Sequence, residues 1–225
     1  MMKLRKRHTL LLLLLSLSGL LYAQDGHISA NLRGGNNATF GNFSAITIEA
    51  EHNFAANVSL KGGLLSSSYE RMAAEMRTSY RHDLGFGVLH FEGLMHYAAQ
   101  SSHSTHALGG GVGLTTPRLF VTIGYYFRTL KNSTDRLTEP FNLYYRFGVS
   151  CLPNNPDWDL MLTFSNSHFL ELERHYQPSL NIDGVWHLSE KLGATLGLSY
   201  KPTGIFHIST TYYQLYANLG VCYKW

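Results

Sequence analysis

The chain has 225 residues, 44% of them hydrophobic, with 18 Lys and Arg against 15 Asp and Glu, 14 Tyr, 12 Phe and two Cys. Four of the basic residues, Lys3, Arg5, Lys6 and Arg7, precede an apolar run from Leu10 to Leu21, so the rest of the chain carries 14 against 15. That balance leaves no basic patch for nucleic acid, and no later stretch reaches the roughly 18 apolar residues of a spanning helix.

The opening segment reads as a secretory signal peptide over residues 1–23, with cleavage after Ala23. An N-terminal membrane anchor is the alternative. No Cys follows the apolar core, which argues against a lipidated N-terminus. Residues 24–225 suit a single domain. What recurs through them is a segment of about ten alternating residues closed by turn signals.

The first such strand spans about His27 to Gly34, with Ile28, Ala30 and Leu32 on one face. A polar loop, Gly35 to Asn42, leads to Ser44–Asn53, and a tight turn near Ala55 opens Asn57–Ser66. Arg71–His82 follows. A turn at Asp83–Phe86 leads to Gly87–Ala99. A Gly-rich strand, His106–Thr115, turns at Pro117-Arg118 into Leu119–Thr129. The polar stretch Lys131–Thr138 precedes Phe141–Cys151, and Pro153-Asn154-Asn155-Pro156 is a turn. Trp158–Asn166 and Tyr176–Leu188 come next. A strand beginning near Leu192 alternates apolar residues with Gly193, Thr195, Gly197 and Ser199. Pro202–His207 is a loop before the last strand, Thr211–Trp225. The expected total is twelve strands. Cys151 and Cys222 fall on opposite faces, so two free thiols are expected.

In the last strand Tyr213, Leu215, Ala217, Leu219, Val221, Tyr223 and Trp225 share one face, and Gln214, Tyr216, Asn218, Gly220, Cys222 and Lys224 the other. A soluble edge strand this long and apolar would invite aggregation. Its last eight residues resemble the C-terminal assembly signal of Gram-negative outer-membrane β-barrels, with Asn218, Gly220, Tyr223 and Trp225 at the fixed positions. The resemblance is to porin-like proteins as a class, without a particular family. It implies an all-β fold, a transmembrane antiparallel up-and-down barrel in the bacterial outer membrane. Outer-membrane lipid and the assembly machinery would be its partners. Trp158, Trp186 and Trp225 all lie on the lipid-facing parity and near tight turns, where an aromatic girdle belongs.

Function then belongs to the lumen. The inward parity carries Arg33, Glu49, Glu51, Lys61, Arg71, Glu75, Arg77, Arg81, His90, Glu92, His96, Arg146 and Asp183, mostly on the first five strands. The facing wall is rich in Gly, Thr and Ser. Such a wall can line a narrow path for small polar solutes. The same side chains can instead pair and close it, making a structural barrel. Turn positions put Arg77 opposite Glu92 and Lys61 opposite Glu51, close enough to pair. An enzyme is the third reading, with Ser165, Ser167 and His168 as its only cluster. On a regular strand both serines point away from His168, so no catalytic group is assigned. The histidines do not converge as metal ligands must, and no cofactor is expected.

Overall fold

A computed structural model describes residues 26–37, 41–68, 71–100, 103–172, 177–202 and 213–225. Residues 1–23, read from the sequence as a signal peptide, lie outside the described residues. Every described element is a strand. They run β1 (Gly26–Asn37), β2 (Gly41–Ala55), β3 (Val58–Ser67), β4 (Arg71–Asp83), β5 (Val88–Gln100), β6 (His103–Thr115) and β7 (Leu119–Lys131). Then follow β8 (Arg136–Ser150), β9 (Trp158–Ser165), β10 (Ser167–His168), β11 (Glu171–Leu172), β12 (Ser179–His187), β13 (Leu192–Pro202) and β14 (Tyr213–Lys224). Twelve of them close into one barrel in which each strand pairs with its neighbours in the chain. β1 meets β14 from His27 opposite Lys224 to Asn37 opposite Gln214. β10 and β11 form a separate small hairpin.

Alternation decides the faces. Along β14, Leu215, Leu219, Val221 and Tyr223 are exposed on the outside, whereas Tyr216 and Cys222 are buried inside. Leu32, Ile46, Met95, Ile123 and Leu198 continue the exposed apolar surface around the barrel. A water-soluble protein rarely presents an apolar surface of that extent; a wall facing hydrocarbon must. Trp158 and Trp186 are cross-strand partners on β9 and β12, and their rings stack with centroids 5.6 Å apart. The Trp225 ring lies against Gly26, and the Trp225 backbone N–H donates to the Gly26 carbonyl at 3.2 Å. All three mark the end where the turns are tight. Cys151 is exposed and Cys222 buried, and both are free thiols.

Several boundaries depart from those read off the sequence. Half of the polar stretch Lys131–Thr138 is ladder, because β7 and β8 stay paired to Lys131 opposite Arg136 across a bulge. Arg128 secures that extension by donating to Glu139 at 2.5 Å. The turn after β4 closes Asp83 onto Val88, two residues later in the register sum than expected. Gly85 there takes a φ of 83°, and its N–H donates to Asp83 Oδ1 at 2.7 Å. A shift of two keeps side chains on their faces and changes only their partners.

On the inner face, glycines make room for aromatic side chains to lie flat against the wall. Tyr144 covers Gly111 and Gly124, where any Cβ would strike its ring. A charge on the outer face should meet hydrocarbon. Leu196→Arg, near the middle of β13, is expected to cost roughly 2–4 kcal/mol, read as a lowered urea midpoint of the barrel folded in lipid vesicles.

Candidate functional site

The site begins where β9 stops. β9 pairs with β8 only from Arg146 opposite Ser165 to Ser150 opposite Met161. Beyond it the Asn166 side chain replaces the missing backbone. Its Oδ1 accepts from the Tyr145 N–H at 2.8 Å, and its Nδ2 donates to the Leu143 carbonyl at 2.9 Å. With those β8 groups satisfied, the chain can leave the wall and fold inward.

What folds inward is the β10–β11 hairpin, with Phe169 and Leu170 at its tip. Leu170 is fully buried with a φ of 67°, an uncommon conformation for a bulky residue. Such strain persists only where the surroundings hold it. The Leu170 N–H donates to Glu75 Oε2 at 3.2 Å, and its side chain packs in one cluster with Ala45, Leu65, Ala73 and Phe169. Leu172 joins a second cluster with Leu94, Ala107, Tyr126 and Tyr144. Phe169 lies against Gly63 beneath two cations, with Lys61 Nζ 4.2 Å and Arg77 Cζ 5.5 Å from its ring centroid.

Charges clamp the hairpin to the wall. Arg33 Nη1 on β1 donates to Glu171 at 2.9 Å, with both side chains buried. Arg77 Nη2 on β4 donates to Ser167 O and Oγ, each at 3.2 Å. Arg77 Nε also bonds Glu75 at 2.5 Å, and His96 Nδ1 reaches the other Glu75 oxygen at 2.8 Å. Burial pushes the Glu171 carboxyl up, but Arg33, Lys201 and Arg71 pull it down further, to about 2. The tether is therefore fully present above a carboxylate's ordinary range and lost only as pH falls toward 2.

The inward residues expected from the sequence are brought together, with different pairings. Lys61 faces Glu51 in the register as expected. Its ammonium nevertheless bonds Glu49 at 2.9 Å, and Glu51 takes Arg81 at 3.1 Å. The expected Arg77–Glu92 pair does not form, because the later turn places Leu94 opposite Arg77 and Ser79 opposite Glu92. Glu92 pairs instead with Arg146 from β8, and His90 stands 3.7 Å from it. Asp183 faces His168 at 3.4 Å. Ser165 Oγ and His168 Nδ1 have no hydrogen-bond partner, so the imidazole does not hold that serine as a nucleophile requires.

The hairpin itself escaped the sequence reading. The sequence reading leaves Ser167–Leu172 between the ninth and tenth strands, with no element of its own. The available signal was Phe169, Leu170 and Leu172, three large apolar residues in a stretch between two strands. A depression of about 840 Å³ crosses the lipid-facing wall over Ala50, Gly62 and Ala74.

Comparison with known proteins agrees with this geometry at the level of fold. No family model matches, and no curated protein matches. Among solved structures, the chain is similar to the NanC porin, with a TM-score of 0.57 at 12% identity over 87% of this chain and 100% of that one. The KdgM porin gives 0.54 at 12% identity over 88% and 99%. The translocator domain of the autotransporter NalP from Neisseria meningitidis gives 0.57 at 17% identity over 92% and 91%. The chain thus has the closed antiparallel fold of outer-membrane porins and related barrels.

The clamp predicts a measurable weakness. Arg33→Met leaves Glu171 without its direct partner and should loosen the hairpin by about 3–5 kcal/mol. Hydrogen exchange at Ser167–Leu172 should accelerate while the barrel strands stay protected.

Proposed function

We propose that the protein is a porin-like barrel of the bacterial outer membrane, passing small polar solutes through a lumen narrowed by the β10–β11 hairpin. The observation that carries this reading is the clamp itself. A loop held inside a barrel by ion pairs and one strained turn restricts a path without belonging to the wall. The apolar outer face, the tryptophans at the tight-turn end and the likeness to porins support the outer-membrane setting. A cleaved signal peptide at residues 1–23 would export the chain. Tight turns then face the periplasm and the hairpin enters from outside.

Along the path, Arg33, Glu49, Glu51, Lys61, Glu75, Arg77, Arg81, His90, Glu92, Arg146 and Asp183 would line or narrow the lumen. The filled lumen also favours a second reading, a closed structural barrel. Planar-bilayer recordings separate the two. Replacing Ser167–Leu172 by a Gly-Ser linker should give larger single-channel steps than the unaltered barrel. A linker variant that folds and stays silent would establish the closed barrel.

Asn218, Gly220, Tyr223 and Trp225 would serve the assembly machinery, and the seam supplies an additional reason for two of them. A Cβ at Gly220 would strike the Ala30 carbonyl and Asn31 on β1, and Trp225 covers Gly26. Gly220→Glu and loss of Trp225 should each lower the amount of heat-modifiable barrel in outer-membrane fractions. Undiminished amounts would remove both residues from that role.

A further inference from the structure

The depression on the lipid-facing wall follows a single row of residues. Ala50, Gly62, Met76, Met95, Leu108 and Phe127 are successive cross-strand partners from β2 to β7, and all six line it. Ala50 is buried and Gly62 carries no side chain, so these two make its floor, while Met95, Leu108 and Phe127 stand exposed. At about 4.8 Å per strand the row is about 24 Å long. Strands tilted by about 40° carry it up the wall by roughly 10–15 Å, about the depth of one leaflet in a hydrocarbon core about 30 Å thick. Ala50 lies toward the tight-turn end of β2, and Phe127 toward the opposite end of β7. The groove therefore suits an acyl chain reaching from the interface at Phe127 to the middle of the bilayer.

Beyond Phe127 the same face turns cationic. Thr129 and Lys131 continue the outward parity of β7, and Lys131 is directly opposite Arg136 on β8. Both side chains are exposed. Like charges directly opposed across a ladder repel, and neither cation has an ion-pair partner among the described residues. The two carboxylates of this extension are turned elsewhere. Asp135 accepts from Thr134 in the turn at 3.0 Å, and Glu139 is bonded to Arg128. His106, opposite Thr129, stands exposed at the mouth of the groove, with its ring centroid 4.9 Å from that of Tyr97. An anion seated between Lys131 and Arg136 relieves a repulsion that the protein leaves in place, and it sits where the groove opens.

We propose that this face binds one molecule of lipopolysaccharide, with Lys131 and Arg136 on a phosphate of its lipid anchor and one acyl chain in the groove from Phe127 to Ala50. Three features select that occupant together. They are a doubly cationic seat for an anion, an apolar channel continuous with it, and a position at the end of the barrel away from the tight turns. A free inorganic anion answers only the first, and an uncharged lipid only the second. A guanidinium can hold a phosphate with two parallel bonds, and a lysine acts beside it as a point charge. The proposal rests on the outer-membrane orientation proposed above, with the tight turns in the periplasm, and is independent of solute passage.

Native mass spectrometry of the full barrel in detergent micelles tests this. The probes are bisphosphorylated lipid A, its dephosphorylated form with the same acyl chains, and phosphatidylglycerol. The unaltered barrel should retain one lipid A, about tenfold more tightly than the dephosphorylated form. Lys131→Gln combined with Arg136→Gln should erase that difference. Gly62→Phe should weaken both forms by a similar factor, because it fills the floor of the groove. A Cβ there meets only the Glu75 carbonyl, at 4.0 Å, so the wall accepts the change. If the double variant loses the heat-modifiable mobility of a folded barrel, Arg136→Gln alone replaces it and should narrow the difference. A tenfold difference that survives loss of both cations would overturn the proposal. Phosphatidylglycerol held as tightly as lipid A would do the same, as would a second copy of the chain retained in place of lipid. An epitope inserted after Ser133 reads the orientation separately. Absent lipid A binding with the epitope displayed on intact cells refutes the lipid site alone. Detection only in permeabilised cells refutes the orientation and, with it, the occupant.

Discussion

The pairing of the first strand with the last is the constraint from which the rest follows. In hydrocarbon an unpaired peptide group costs several kcal/mol, so a sheet can span a bilayer only if it has no edge. The β1–β14 ladder removes both edges at once. Once the wall is closed, alternation does the sorting. Leu32, Leu219 and Val221 go to the outside of the seam, and Asn31, Arg33 and Tyr216 to the inside. The seam is also where packing is tightest. Gly220 lets Asn31 close over it, and the Asn31 side chain accepts from Thr195 on the strand beyond.

Closure creates a second difficulty, an interior crowded with charge. Charges removed from water are costly unless each is paired and hydrogen-bonded. The barrel meets this with cross-wall pairs and with the hairpin, which brings its own carboxylate to Arg33 and its backbone to Glu75 and Arg77. Apolar groups enter with them, so that Phe169, Leu170 and Leu172 pack where water would otherwise stand. Asn166 makes that entry possible by completing the ladder that β9 abandons.

The wall was legible in the sequence because its signal is local and repeated. Alternation along β7 or β14, with a turn every ten or so residues, specifies strand number and face together. Parity survived even the misplaced turn after β4, since the error was two residues. Partners were not legible. Whether Glu92 meets Arg77 or Arg146 depends on where Gly85 lets the chain reverse, and on β8, whose Arg146 is 54 residues further along the chain. The Lys61 case shows the same limit from the other side. Its register was right, yet a long flexible side chain reached past Glu51 to Glu49. The hairpin was hidden for a different reason. A segment of two-residue strands has no period to detect, and its burial depends on the glycine at position 63 and on cations from distant strands.

Arg33 also sits on a seam strand, and this gives the hairpin a place in time. Arg33 and Glu171 are 138 residues apart in the chain, and their contact requires β1 to have found its final neighbours. Arg77, Glu75 and the Gly63 recess are available once β3 to β5 have paired. One side of the hairpin can therefore settle during growth of the sheet, while the other waits for the ends to meet. The Arg33–Glu171 bond acts as a latch that snaps only on a finished ring. A barrel caught half-assembled would hold its hairpin by one side alone, and would fasten the other as the last step of becoming itself.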